Sequence, residues 1–309
     1  MPHTPAPAAS HAPLRSLLFV PADSPRKLDK AAASGADALI LDLEDSVAAD
    51  RKATARQLAL EYLHQHPKAQ RRQPLWVRIN PLDSPWAMQD LCVCAGAPDG
   101  IMLPKASAVA DVLRLGHGLD ALEAHHALPA HGIRILPIVT EVPQALFTLQ
   151  AYHQQPHARL HGLTWGAEDL AAAIGASHNR LPDGRYDDLF RLARSLCLAA
   201  ASAAGVQPVD TIWADYRDST GLQAEAQAAR RAGFTGKLAI HPAQVPIINA
   251  AFTPDAAEVA WFERVVQAFA DQPDQGTIGL DGKMLDLPHL RQAQRVLALA
   301  AQLARREQA

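Results

Sequence analysis

The chain has 309 residues, of which 49% are hydrophobic and 20% are charged, and its formal net charge is −3. These values are typical of a soluble globular protein with a large core, and they allow one large domain or two small ones. They exclude a strongly basic surface for nucleic acid, and no apolar run approaches the roughly 18 residues of a membrane-spanning helix.

The cysteines and the first residues bear on the compartment. Cys92, Cys94 and Cys197 are an odd number of thiols and lack a second pair at zinc-site spacing, which predicts reduced, buried thiols in a cytoplasmic protein. The opening stretch, MPHTPAPAASHAPL, has neither the charged start nor the apolar centre of a secretory signal. We expect residues 1–13 to form a flexible leader.

From Leu14 onward, short apolar runs alternate with helical stretches. The first four predicted strands are RSLLFV, ALILDL (38–43), LWVRIN (75–80) and GIMLPK (100–105). A helix is predicted after each strand. The first is opened by Ser24-Pro25 and closed by Gly35, and the third is opened by Ser84-Pro85. The second and fourth cover residues 49–64 and 107–126.

The second half of the chain repeats the alternation. Its predicted strands cover residues 134–140, 160–166, 210–215 (DTIWAD) and 237–241 (KLAIH). Its predicted helices cover 143–152, a short piece after Glu168, a long segment that follows a loop at 178–185 and ends near 204, and a segment that ends at 232.

Eight such units in about 230 residues match a closed parallel barrel. Near-continuous apolar strands are typical of a sheet covered by helices. We therefore expect an α/β fold, a (β/α)₈ TIM barrel over residues 14–252. The alternative is an open doubly wound sheet, which is weaker because no glycine-rich phosphate fingerprint follows the first strand.

A further segment follows the eighth unit. Two helical stretches, 254–270 and 288–306, flank GTIGLDGKMLDL, which has a turn signal at Asp281-Gly282. We expect residues 253–309 to form a C-terminal helical extension that packs on the barrel, forms a lid or reaches a neighbouring subunit.

Polar residues collect at the carboxyl ends of the predicted strands, where barrel enzymes place their active sites. Each residue alone could cap a helix or pair within the core, but a ring of this size favours a functional site. Its members are Asp42, Glu44, Asp45, Arg78, Asn80, Lys105, Glu141, Glu168, Asp169, Asp215 and His241.

Glu141 and Asp169 follow the fifth and sixth predicted strands. Neighbouring parallel strands lie about 4.8 Å apart, so side chains at their ends can reach one ion. Two carboxylates that leave positions for water and substrate suit Mg²⁺. The hypothesis is a divalent metal at the barrel mouth. The alternative is that both acids cap helix N-termini, and the pattern alone does not decide.

Arg78 lies within an apolar strand and therefore needs an anionic partner. Glu44 or Asp45 could serve, or Arg78 could bind a substrate carboxylate or a developing oxyanion. Lys105 could form a Schiff base, but the acids around it favour a charged, non-nucleophilic lysine. No Gly-x-Ser-x-Gly elbow appears, and His241 has no carboxylate at metal-ligand spacing.

Eight stretches resemble the citrate lyase β subunit-like group of the HpcH/HpaI aldolase family, which also contains malyl-CoA and citramalyl-CoA lyases. They follow the family order and cover nearly everything after the leader. They read RSLLFVPADSPRKLDKA, GADALILDLEDSV, WVRINPLDS, GIMLPKA, ILPIVTEVPQAL, LTWGAEDLAAAIGA, GKLAIHPAQV and DGKMLDLPHLRQAQ.

The resemblance implies a (β/α)₈ barrel, usually a homotrimer and otherwise a hexamer, that uses Mg²⁺ and a CoA-type thioester or 2-oxo acid substrate. It implies metal binding by Glu141 and Asp169. It gives Arg78 the substrate contact. It makes Glu44 and Asp45 a catalytic support near Arg78 and the metal-bound water.

The resemblance also implies a CoA site and a catalytic residue in the C-terminal extension. Ser24, Arg26 and Lys30, after the first strand, would face the CoA phosphates and pantetheine, where a helix N-terminus favours anions. Asp286 would act as acid or base on a neighbouring subunit, although Asp281 lies nearby in the same segment.

The implied activity is reversible cleavage of a 3-hydroxyacyl-CoA thioester to an acyl-CoA and a 2-oxo acid. Three alternatives remain. They are the β subunit of a citrate lyase that needs an acyl carrier protein, a CoA-independent aldolase of hydroxy-oxo acids, and a catalytically silent scaffold. No nucleic-acid or membrane partner is expected.

Overall fold

Eight parallel strands form a ring in the computed structural model, which describes residues 13–155 and 157–308. The strands are Ser16–Pro21 (β1), Ala38–Asp42 (β2), Leu75–Arg78 (β3), Gly100–Leu103 (β4), Arg134–Pro137 (β5), Gly162–Thr164 (β6), Gln207–Asp210 (β7) and Gly236–Ala239 (β8). Their order is β5-β4-β3-β2-β1-β8-β7-β6, and parallel bridges from Ile135 to Leu160 and from Ile138 to Thr164 join β5 to β6. The predicted TIM barrel is confirmed.

Helices surround the ring. They are Pro25–Ala32 (α1), Lys52–Gln65 (α2), Ala87–Asp90 (α3), Val109–His125 (α4), Ala151–Gln154 (α5), Glu168–Ile174 (α6), Asp188–Ala204 (α7), Ser219–Ala232 (α8), Val245–Phe252 (α9), Ala256–Ala270 (α10) and Leu287–Gln308 (α11). Short 3₁₀ helices occur at Ala49–Arg51, Lys68–Gln70, Leu91–Gly96, Pro143–Phe147 and Pro242–Gln244.

Alternation along each strand separates two cores. Leu17 and Trp76 belong to the cluster inside the ring, whereas the adjacent Leu18 and Val77 belong to the cluster that packs under the helices. Successive side chains of a strand point to opposite faces, so Arg78 shares the inner face of Trp76. This alternation is what brings a guanidinium to the mouth of the barrel.

The seventh strand differs from the prediction. It spans Gln207–Asp210, and residues 211–215 form a loop, so Asp215 does not end a strand. Asp210 ends it, fully buried, with its carboxylate bound by Lys237 (2.9 Å) and Arg194 (3.0 Å). A buried carboxylate inside a strand depends on partners far along the chain, and the local apolar pattern could not show them.

Two helix predictions also need correction, and one helix was missed. Residues 143–152 do not form one helix, because a 3₁₀ turn at Pro143–Phe147 precedes the short α5. Ser84-Pro85 does not open a helix, since α3 starts at Ala87. The helix α9 was not predicted. Ser24 does occupy the N-cap of α1, although its side chain makes no capping hydrogen bond.

The C-terminal segment has a core of its own. Thr277–Leu280 (β9) and Lys283–Asp286 (β10) form an antiparallel hairpin with the expected turn at Asp281-Gly282. Val265, Ile278 and Leu285 pack together apart from the barrel clusters. At the far end of α11, Arg306 contacts the carboxylate of Asp37, which directly precedes β2. The segment is therefore attached at the amino-terminal end of the barrel, opposite the mouth.

The predicted leader, residues 1–13, lies outside the described residues except for Pro13. In the part of the chain that is described, no helix combines the length and apolarity needed to cross a membrane.

Candidate active site at the barrel mouth

Arg78 is held at the mouth by two acids. Its Nε and Nη2 donate to Oδ1 and Oδ2 of Asp42, each at 2.7 Å, and its Nη1 lies 3.0 Å from Oε2 of Glu44. The guanidinium also stacks over the ring of Phe19 at 4.6 Å. Burial opposes the charge on Asp42, but Arg78 outweighs it and lowers the pKa of that carboxyl. The guanidinium is therefore charged and fixed in orientation.

Glu44 is a partner of Arg78, as one of the two predicted possibilities stated. Asp45 is not, because its carboxylate is 57% exposed and lies 3.6 Å from Nζ of Lys105 instead. Asp42 was named in the polar ring but not as the partner. The pairing depends on the register of β2 and β3, which places Asp42 beside Arg78 on the inner face and which the sequence alone does not show.

Lys105 connects the carboxylates of the site. Its Nζ lies 2.5 Å from Oε1 of Glu44 and 3.2 Å from Oδ1 of Asp169, and its backbone N–H donates to Oε2 of Glu141 at 2.6 Å. Burial opposes its charge, but Glu44 and the other acids raise its pKa above the usual range. Lys105 is therefore protonated, as expected, which disfavours a Schiff base.

Glu141 is 4% exposed and lies among like charges. Burial and then the negative charge of Asp169 raise the pKa of Glu141 to about 8. The neighbouring strand end leaves room for it, because a Cβ on Gly166 would stand 2.7 Å from its Cγ. Gly166 is held there by Thr140, whose Oγ1 accepts from the Gly166 N–H at 3.1 Å.

These features fit a divalent cation between Glu141 and Asp169. A cation would offset the repulsion that makes ionised Glu141 unfavourable. The pair would supply two carboxylates, with water and substrate completing the shell. Such a sparse carboxylate shell is usual for Mg²⁺. The helix-capping alternative also holds in part, since Asp169 lies in the first turn of α6.

Among the described residues, the other predicted site residues make no hydrogen bond or ion pair with this cluster. Arg26 and Lys30 are exposed on α1, which follows β1 at the mouth, and Ser24 precedes them. Asp286 lies on the hairpin of the C-terminal segment, half exposed, with its Oδ1 2.5 Å from Nδ1 of His289. Within the described residues, no hydrogen bond or ion pair joins Asp286 to the mouth.

Two further members of the predicted ring have local structural partners. Asn80 is buried and donates to Oδ2 of Asp90 at 2.6 Å and to the carbonyl of Leu43 at 3.0 Å, which fixes the loops after β2 and β3. His241 caps the 3₁₀ helix Pro242–Gln244 by accepting from the Ala243 N–H. Neither residue joins the carboxylate cluster.

Comparison with known proteins gives consistent relatives. The family model described as HpcH/HpaI aldolase/citrate lyase matches residues 15–242. A (3S)-malyl-CoA thioesterase of Cereibacter sphaeroides is 38% identical over 296 residues, which cover 94% of this chain and 96% of that protein. The citrate lyase subunit beta of Escherichia coli is 34% identical over 93% of both proteins.

A solved structure is also similar to this chain. CitE from Mycobacterium tuberculosis, in complex with magnesium, acetoacetate and coenzyme A, superposes with a TM-score of 0.76 at 34% identity and covers 94% of this chain and 98% of that one. The family match spans all eight strands of the barrel, and the relatives align along nearly their full length, as the sequence motifs predicted. The chain belongs to the HpcH/HpaI aldolase/citrate lyase family, a family of lyases.

Proposed function

We propose that the protein is a Mg²⁺-dependent carbon–carbon lyase that cleaves a 3-hydroxyacyl-CoA thioester to an acyl-CoA and a 2-oxo acid. Malyl-CoA, citramalyl-CoA and citryl-type thioesters are the candidate substrates. The observation that carries the proposal is the convergence of Arg78, Glu141 and Asp169 at one mouth, joined through Lys105. The magnesium and coenzyme A of the CitE complex support the choice of cofactor and substrate class.

Glu141 and Asp169 would hold the cation. When bound there, Mg²⁺ supplies a Lewis acid beside the oxygen that becomes the carbonyl of the 2-oxo acid. Glu141 contributes a carboxylate that burial keeps away from competing solvent, and Gly166 leaves the space that this carboxylate occupies.

Arg78 would stabilise the enolate oxygen of the departing acyl thioester. An arginine has five N–H donors in a fixed plane, and the contacts to Asp42 and Glu44 leave donors for a substrate oxygen. Because Asp42 fixes the plane before substrate arrives, little reorganisation is needed in the transition state. Glu44 and Asp45 support the cations around the reacting atoms.

Asp286 would move the proton at the carbon of the departing acyl group. Its segment has a separate core and is attached opposite the mouth, so we propose that Asp286 serves the barrel of a neighbouring subunit in a homotrimer. The exposed cations Arg26 and Lys30, with the N-terminus of α1 at Ser24, would bind the CoA phosphates.

Thioester hydrolysis is a second candidate, because a relative at 38% identity is a (3S)-malyl-CoA thioesterase. The same Arg78 would then stabilise the oxyanion formed when water attacks the thioester carbonyl. A third arrangement, the β subunit of an acyl-carrier-protein-dependent citrate lyase, draws support from the E. coli relative. A CoA-independent aldolase would use the same carboxylate pair without the α1 cations.

One assay separates these candidates. The protein is incubated with Mg²⁺ and malyl-CoA, citramalyl-CoA, citryl-CoA or free citrate, with EDTA as the control. We expect metal-dependent release of glyoxylate, pyruvate or oxaloacetate together with an acyl-CoA. Free CoA and an intact hydroxy acid would instead establish hydrolysis. No turnover by folded, metal-loaded protein would favour the carrier-protein subunit or the CoA-independent aldolase.

A further inference from the structure

Lys105 has a backbone conformation that few lysines adopt. Its φ is +51°, in the left-handed region, which is unfavourable for an L-residue. A strained residue persists where the surrounding structure fixes it, and such residues concentrate at functional sites. Here the conformation directs the backbone N–H to Glu141, while the side chain reaches Asp169. One residue thus touches both of the proposed metal ligands.

The charges around Lys105 are unbalanced. Two cations, Arg78 and Lys105, contact five carboxylates between them. The carboxylates are those of Asp42, Glu44, Asp45, Glu141 and Asp169. Arg78 is committed to Asp42 and Glu44. Lys105 is therefore the cation that serves Asp169, and its side chain is 28% exposed on a flexible stem that can move toward or away from it.

We propose that Lys105 is a positioning residue whose ammonium neutralises Asp169 until the metal ion displaces it, and that holds Glu44 in place both before and after the metal ion binds. The proposal rests on the function proposed above, since it assumes that Glu141 and Asp169 bind Mg²⁺. Glu44 is almost fully buried and lies 2.5 Å from the ammonium, the shorter of the two contacts, so it is the partner that Lys105 keeps. The contact to Asp169, at 3.2 Å, is the one that the metal ion replaces.

Lys105 has two roles, a charge beside Asp169 and a contact that holds Glu44. Loss of the first should raise metal affinity, and loss of the second should lower turnover. A positive charge next to Asp169 competes with Mg²⁺, so removing it should strengthen metal binding. The same removal leaves Glu44 with only Arg78 and frees its carboxylate to move, so turnover should fall. If Lys105 only stabilised the loop after β4, its removal would lower metal affinity, because disorder of that loop would weaken binding.

The test compares Lys105→Met with wild type by calorimetric titration of Mg²⁺ without substrate and by kcat with the best thioester. We expect the Kd for Mg²⁺ to fall about tenfold, through loss of the competing charge, and kcat to fall about tenfold or more, through loss of carboxylate orientation. Lys105→Arg keeps the charge and should retain a Kd close to that of wild type. Lys105→Gln replaces Lys105→Met if the latter does not fold.

Lys68→Met is the matched control, because Lys68 is an exposed lysine that pairs with Asp99 at 3.3 Å on the amino-terminal side of β4. It should change neither quantity. A weaker or unchanged Kd in the uncharged variants, with wild type binding Mg²⁺ normally, overturns the proposed role of Lys105 and leaves the lyase proposal intact. Failure of wild type to bind Mg²⁺ overturns both.

Discussion

A Cβ atom on Gly166 would lie 2.7 Å from Cγ of Glu141 and 3.0 Å from its Oε1. Both distances are shorter than ordinary carbon contacts, so the side chain of Glu141 occupies the space that a larger residue at position 166 would need. Glu141 cannot move freely to make room, since its Oε2 accepts from the backbone of Lys105 at 2.6 Å. The absence of a side chain at Gly166 therefore determines where one carboxylate of the proposed metal site lies.

The substitution Gly166→Ala should displace Glu141 while leaving the barrel folded. A misplacement on the order of 1 Å can cost about 100-fold in rate, so we expect a loss of that order in kcat together with weaker Mg²⁺ binding. Calorimetric titration and steady-state kinetics measure both. Gly118→Ala is the control, because the nearest atom to a Cβ there lies 3.9 Å away. Wild-type metal affinity in Gly166→Ala would show that the packing does not position Glu141.

The parts of this site that were predicted depend on local patterns. Arg78 was singled out as a charge within an apolar strand, and Glu141 and Asp169 as carboxylates that follow two adjacent predicted strands. What was missed depends on pairing across the chain. The partner Asp42 follows from strand register, and the burial of Asp210 depends on Lys237 and Arg194. Those contacts join residues that no local window contains.

For Lys105, the sequence predicted the charge but not the backbone conformation or the contacts. The sequence indicated its charge, because acids end the neighbouring strands, and the raised pKa agrees. Its left-handed backbone and its simultaneous contacts to Glu44, Glu141 and Asp169 required the structure. A lysine at position 105 gives no indication of a positive φ, because glycine and asparagine are the residues that usually adopt one.

The substitutions Glu141→Gln and Asp169→Asn should each abolish Mg²⁺-dependent turnover, because each removes one of two charged ligands. Without metal, Glu141→Gln should be at least as stable as wild type above pH 8, since burial disfavours ionised Glu141. Thermal unfolding in EDTA and in excess Mg²⁺ measures this, and only wild type should gain stability from the metal. Retained metal-dependent activity in either variant would refute the assignment.

Metal affinity should depend on pH through Glu141. Its pKa is raised from 4.5 to about 8, so without metal the folded protein holds a proton there that the unfolded chain has lost. Across this window, stability without metal should fall as pH rises. Mg²⁺ must displace the proton, so its affinity should rise by up to about tenfold per pH unit until about pH 8 and then level. Titrations from pH 6 to pH 9 test this, and an unchanged affinity would contradict it.

The substitution Arg78→Lys keeps a positive charge but loses the two parallel bonds to Asp42. Lysine is a point charge that cannot reproduce this geometry, so we expect kcat to fall by about 100-fold or more, the cost of an oxyanion donor. Metal affinity should change little, because Arg78 does not contact the proposed metal ligands directly. Steady-state kinetics at saturating Mg²⁺ measures the effect, and wild-type kcat would exclude Arg78 from the transition state.

The C-terminal segment offers two acids for the proton-transfer role, and only one should matter. Asp286 pairs with His289, whereas Asp281 is held by Arg264 at 2.7 Å in the turn of the same hairpin. Asp286→Asn should lower kcat by about 100-fold or more without changing Mg²⁺ affinity, since about 100-fold is the lower end of what a general acid or base typically contributes. Asp281→Asn, in the same hairpin, should leave kcat unchanged.

Mixing two inactive variants tests whether Asp286 serves a neighbouring barrel. Arg78→Ala destroys the mouth and leaves the segment intact, whereas Asp286→Asn does the opposite. In a mixed oligomer, a barrel with an intact Arg78 can meet an intact Asp286 only if the segment acts between subunits. Co-refolded protein should therefore regain activity that neither variant has alone. Inactive mixed oligomers, with mixing verified by mass, would place Asp286 on its own barrel or outside the reaction.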